Sequence, residues 1–164
     1  MSIKIDNTYV TPFINITKNI FKEMLKTNIN PQIPTMIEPN ENNDWNISGT
    51  IGITAGTIKG VIIINFKKET SDKITKIIFG DESFTQNDVI EMVSEIVNTI
   101  AGNATKDIGN IIKNDVSISL PTATTAESGM QAHFPEMVKN PISIPFEIEN
   151  TNEIFELYIG FSGL

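Results

Sequence analysis

Glu95 and Asn98 are of the types, and at the spacing, that chemistry on a partner molecule would use. On a helix, residues three apart are neighbours one turn on. A carboxylate that accepts hydrogen bonds or pairs with a cation would then stand beside an amide able to donate and accept at once. The residues around them supply the helix. At about 100° per residue, Met92, Val93, Ile96, Val97 and Ile100 gather on one side as an apolar face wide enough to seal against a sheet. On the other side Glu91, Glu95, Asn98 and Gly102 fall at i, i+4, i+7 and i+11, a single row that a partner could read.

Spacing alone does not separate this reading from an ordinary one, because any surface helix has a polar face and an acid and amide on it are usually just solvated. The pair also recurs as Glu147 with Asn150 and Glu149 with Asn152. Those copies lie in a polar segment between two strand-like runs, where the side chains need not share a face.

The elements that must position the pair follow from periodicity. The helix runs from about Asn87 to Ala104, with Thr85 or Asn87 as N-cap and Asp88 in its first turn. Gly102, Asn103 and Ala104 are small enough for close packing or a kink, and the polar continuation Thr105 to Asn110 leaves the end open. Pro12, followed by Phe13, Ile16, Ile20, Phe21, Met24 and Leu25, predicts an amphipathic helix opened by proline and running to about Thr27. Asn28 to Asn46, with Pro31, Pro34 and Pro39, reads as mostly loop with a short strand around Thr35 to Glu38.

Ile47 to Thr54 and Thr57 to Phe66 predict a hairpin turning at Ala55 and Gly56, and Ser71 to Phe79 a short helix capped by Gly80. After Lys113 strands are expected at Val116 to Leu120, Ala132 to Phe134, Ile142 to Ile148 and Ile154 to Phe161, the last two as an antiparallel hairpin. Helix, two strands, two helices and then strands is an α+β order, a mostly antiparallel sheet packed against long helices, expected as one domain over residues 1–164.

Composition excludes several function classes. The chain has no cysteine, hence no disulfide, thiolate metal site or thiol nucleophile. Its net charge is −8 and every basic residue is lysine, so nucleic acid is not an expected partner. No apolar run approaches the roughly 20 residues of a membrane span, and the first ten residues, with Lys4, Asp6 and Asn7, do not resemble a signal peptide. No membrane partner is expected, and the protein is read as soluble and cytoplasmic.

Other candidates fare worse. Gly49, Gly52, Gly56 and Gly60 lack the Lys-Ser or Lys-Thr of a phosphate loop. His133, beside Phe134 and Pro135, has no second His or Cys for a metal and no evident nucleophile. Thr122, Thr124, Thr125, Glu127 and Ser128 read as turn chemistry, and Glu38, Glu41 and Asp44 match no metal loop.

Several segments together resemble the CheX branch of the CheC, CheX and FliY family, phosphatases of the phosphorylated chemotaxis regulator CheY. Pro12-Phe13-Ile14-Asn15 resembles the family's first helix, and Ile47-Ser48-Gly49-Thr50-Ile51-Gly52-Ile53-Thr54 with Gly60 its first hairpin. Glu91 to Ala104, in which Glu95 and Asn98 are followed by Gly102-Asn103-Ala104, is similar to its signature helix. Ile118-Ser119-Leu120-Pro121-Thr122, His133 with Pro135, and Ile144-Pro145-Phe146 resemble later landmarks in their usual order.

The resemblance implies that the helix lies across the active site of a phosphorylated CheY-like receiver domain. Asn98 would orient the attacking water, Glu95 would pair with the receiver's lysine, and Glu91 and Gly102 would lie in the contact. The protein would need no cofactor of its own, Mg²⁺ belonging to the receiver, and would form a homodimer. The first helix, with Asn15, Asn19 and Glu23, lacks a second motif, which points to CheX over CheC. Glu91 stands where the family more often has Asp or Ser. The alternative is a non-catalytic relative that binds a receiver or a flagellar or chemotaxis partner.

Overall fold

Ile47–Ala55 (β4) and Ile58–Phe66 (β5) pair as the hairpin their β-branched residues predict, and Gly56 makes the turn at a φ of +63 that a side chain would strain. Around it the computed structural model describes residues 7–38, 41–80, 83–136 and 138–163. Lys4, Asp6 and Pro39, which entered the sequence reading, lie outside the described residues.

Before the hairpin come helix α1 (Asn7–Leu25) and the short strands β1 (Ile29–Pro31), β2 (Thr35–Met36) and β3 (Asn42–Asn43). After it come helices α2 (Lys68–Phe79) and α3 (Gln86–Ile112). Strands β6 (Ser117–Ile118), β7 (Thr122–Thr125), β8 (Met130–Gln131), β9 (Ile142–Ile148) and β10 (Ile154–Ser162) complete the chain. The fold is α+β with an antiparallel sheet, as expected. Its order is β1-β9-β10-β5-β4-β6; β2 extends the β1 edge along β9 and β7 extends the β6 edge along β4.

Strand alternation divides the sheet's residues between two faces. Ile51, Ile62, Ile64, Phe66, Phe146, Phe155 and Leu157 point to the helices and form the main core with Phe13, Phe21, Val93 and Ile100. Phe155 stacks between Phe21 and Phe146 at centroid distances of 4.6 and 5.2 Å. The other face carries a smaller cluster of Val61, Ile63 and Tyr158 under Trp45, Ala132, Phe134 and Val138.

Three expectations are corrected and a fourth is extended. α1 begins five residues before Pro12, which sits inside the helix. Losing one backbone bond there is outweighed by burying Val10 and by the contact of Tyr9 with Phe161, 5.9 Å between centroids. The segment Asn28 to Asn46 is mostly loop, with the short strand expected at Thr35, but it holds two further short strands, β1 and β3, that were not expected. It is drawn onto the free edge of β9, where Gln32 N–H donates to the Pro145 carbonyl and Ile37 N–H to that of Pro141.

Thr122 to Thr125, read as a turn, is an edge strand opposite Ile47 to Thr50, since threonine suits a half-exposed ladder. The strand expected at Ala132 to Phe134 lies two residues earlier and pairs with β3, off the main sheet. Ala132 and Phe134 are buried instead as a cover for the far face.

Candidate functional site

Helix α3 has a firm start. Thr85 Oγ1 accepts from the Asp88 N–H at 3.3 Å and Asp88 Oδ2 accepts from the Thr85 N–H at 2.7 Å, a reciprocal capping box. The helix runs past Ala104 to Ile112 because the apolar stripe continues through Ala104 and Ile108, both fully buried. It lies directly on β4: a Cβ at Gly49 would come within 2.8 Å of Val93 Cγ1 and 3.0 Å of the Val93 carbonyl oxygen. That contact fixes which side of α3 faces out.

The outward row is the one expected. Glu91, Glu95 and Gly102 are exposed and Asn98 is half-buried; with a rise of about 1.5 Å per residue, the row extends roughly 16 Å. The Asn98 amide has no hydrogen-bond partner among the described residues. A Cβ built on Gly102 meets nothing within 4 Å, so no packing among the described residues requires a glycine there. Sequence reasoning passed over Thr99, whose hydroxyl donates to the Glu95 carbonyl at 2.7 Å and lies 3.4 Å from Glu95 Oε1. The shorter bond takes the proton, which leaves the Glu95 carboxylate available to a partner. A threonine four residues after a helical acid was the available signal.

The competing candidates are placed elsewhere. His133 is exposed in the loop after β8. Glu147 lies within β9, and Asn150 occupies the following turn at a φ of +64. Glu149 Oε2 accepts from Asn28 Nδ2 at 3.0 Å, tying that turn to the end of α1. Asp44 pairs with Lys67, which holds its carboxyl below the usual carboxylate range. Among the described residues no group of three or more His, Cys, Asp or Glu is placed to hold a metal, and no helix is long and apolar enough to cross a membrane.

These features define an α+β protein whose candidate reactive groups lie on the outward row of one long helix. The family model described as chemotaxis phosphatase CheX matches residues 47–147, and the chain belongs to that family. Among solved structures it is 24% identical to chemotaxis protein CheX from Vibrio vulnificus, covering 94% of this chain and 99% of that one at a TM-score of 0.80.

A CheC-like superfamily protein from Shewanella sp. PV-4 is 22% identical over 97% and 100% of the two chains, at a TM-score of 0.82. A chain of the CheX–CheY–BeF3–Mg²⁺ complex from Borrelia burgdorferi is 20% identical over 97% and 99%, at a TM-score of 0.73. At these identities the likeness establishes the fold. No curated protein matches the chain.

Proposed function

We propose that this protein hydrolyses the aspartyl phosphate of a CheY-like receiver domain, with Asn98 positioning the attacking water and Glu95 anchoring the receiver. The observation that carries the reading is the Asn98 side chain: a half-buried amide on the exposed row of α3, without a hydrogen-bond partner among the described residues, beside an available carboxylate. Water attack on phosphorus breaks the P–O bond to the aspartyl oxygen, releasing phosphate and regenerating the carboxylate. The reaction is promoted chiefly by orientation and charge stabilisation. An amide suits it because its oxygen can accept from the water while its N–H₂ donates to a phosphoryl oxygen. A carboxylate at position 98 would face the phosphate's own negative charge.

Glu95 would reach a lysine in the receiver's acidic pocket, and the Mg²⁺ that neutralises the phosphoryl oxygens would be held there, as the composition of the Borrelia CheX–CheY complex supports. Gly102, one turn beyond Asn98, leaves the helix bare so that a partner's backbone can approach closely. Glu91 would set charge at the contact's other end. The work would be cytoplasmic, where receivers act, and a homodimer would form through a free edge of the sheet.

Phosphate release from a panel of phosphorylated receiver domains, with and without the protein, is the direct test. Faster release from one receiver supports the reading. Binding without acceleration would make the protein a receiver-docking module.

A further inference from the structure

The sheet face turned away from α3 carries a second constellation, independent of the phosphatase reading. The register sets Thr35 opposite Ser143 and Ser143 opposite Tyr158, so the three stand side by side on that face, with Glu156 two residues before Tyr158. Trp45 closes one side, its indole N–H donating to the Tyr158 hydroxyl at 3.2 Å. With Glu41 and Asn43 these residues line an open cavity of about 330 Å³.

Among the described residues, two of the lining polar groups lack partners: the Oγ of Ser143, a residue 2% exposed, has no hydrogen-bond partner, and the buried Asn43 Nδ2 likewise has none. Asn43 is held in place through its other atom, Oδ1, which accepts from the Trp45 N–H at 3.1 Å. A buried unsatisfied group costs about 1–3 kcal/mol, so a ligand in the cavity that bonded to either would gain what the described residues do not supply. Charge narrows its class. Glu41 and Glu156 have no ion pair among the described residues. The nearby cation, Lys67, is engaged by the Asp44 carboxylate and carbonyl and lies 5.6 Å from the Trp45 ring centroid. The cavity therefore repels anions, and among the described residues it has no grouping of acids that would hold a metal ion.

We propose that this cavity binds a small hydroxylated organic ammonium, the cation held by Glu156 and Glu41 and the hydroxyl by Ser143 Oγ and Asn43 Nδ2. Trp45 is the protein's one tryptophan, so its emission reports occupancy directly. The intact protein is titrated with ethanolamine at constant ionic strength, with ethanol and acetate as neutral and anionic controls and calorimetry as a second readout. A saturable emission change with ethanolamine alone, weakened about tenfold or more in Glu156→Gln and in Ser143→Ala, supports the site; tenfold is about 1.4 kcal/mol.

Circular dichroism checks that each variant is folded. The exposed Glu41→Gln carries the same test should Glu156→Gln misfold. No saturable response in either readout, an equal response to ethanol, or unchanged affinity in the folded variants would each overturn the proposal.

Discussion

Replacing Asn98 by alanine separates a positioning group from a structural one, because the structure gives the two roles opposite outcomes. The side chain is half-buried and makes no hydrogen bond among the described residues, so its removal leaves no buried partner unsatisfied. Alanine is also the better helix former by about half a kcal/mol, which offsets the small loss of packing. Net stability should change by no more than about 0.5 kcal/mol, within roughly 2 °C in Tm for a domain of this size. Turnover should fall about a hundredfold or more, the scale seen when one positioning donor is lost from a hydrolytic site, equivalent to about 2.7 kcal/mol in the barrier.

The assay is phosphate release from the phosphorylated cognate receiver over a range of receiver concentrations, with melting curves recorded on the same samples. Asn98 is assigned to the transition state, so the loss should appear in kcat with KM nearly unchanged. Asn98→Asp, which keeps the size and adds a charge against the phosphate, should be no better than alanine. Full activity in Asn98→Ala, or early unfolding of the variant, would refute the assignment.

Four further outcomes are expected. Glu95→Gln should raise the dissociation constant for the receiver as well as slow turnover, and added salt should reproduce part of the loss in the parent protein; identical binding curves would leave Glu95 as a solvated helix residue. Gly102→Ala should raise Tm, since nothing opposes its Cβ and the helix gains up to about 1 kcal/mol, while the larger Gly102→Leu should weaken receiver binding, measured by titration. Gly49→Ala should lower Tm markedly, because its Cβ would press on Val93 Cγ1 at 2.8 Å and on backbone at 3.0 Å. His133→Ala, Asn150→Ala and Asn152→Ala should each keep phosphatase activity within about threefold, roughly 0.65 kcal/mol; a hundredfold loss at His133 in a folded protein would require general acid-base catalysis.

What could be read from the sequence was whatever repeats with a helix or strand period. The stripe from Met92 to Ile100, the hairpins around Gly56 and at Ile142 to Phe161, and the Gly80 cap carry their signals locally and appear as expected. The misplaced elements are those decided by a distant partner. β1 and β7 are three and four residues long and exist because a long strand offers an unsatisfied edge, a fact about β9 and β4 and not about their own residues. The early start of α1 depends on Phe161, nearly the whole chain away. At the candidate site the row of Glu91, Glu95, Asn98 and Gly102 was legible from spacing. That no described residue bonds to the Asn98 amide, and that Thr99 donates to the Glu95 carbonyl, required coordinates.

Two glycines touching the same helix show how structure can separate the needs of the fold from those of a partner. Gly49 lies under α3, and the fold accounts for it: any side chain would push the helix off the sheet. Gly102 lies on the outer face, in a helix interior where glycine is about 1 kcal/mol worse than alanine, with open space where its side chain would be. Nothing among the described residues repays that loss. The same holds for the Asn98 amide, which a buried partner could have satisfied and none among the described residues does. Both departures from local stability fall on one row, one turn apart, beside a carboxylate that is free to pair. A residue that weakens its own element without helping its own fold is accounted for by what it meets outside. In the function proposed above, those residues of α3 would meet the receiver on one surface.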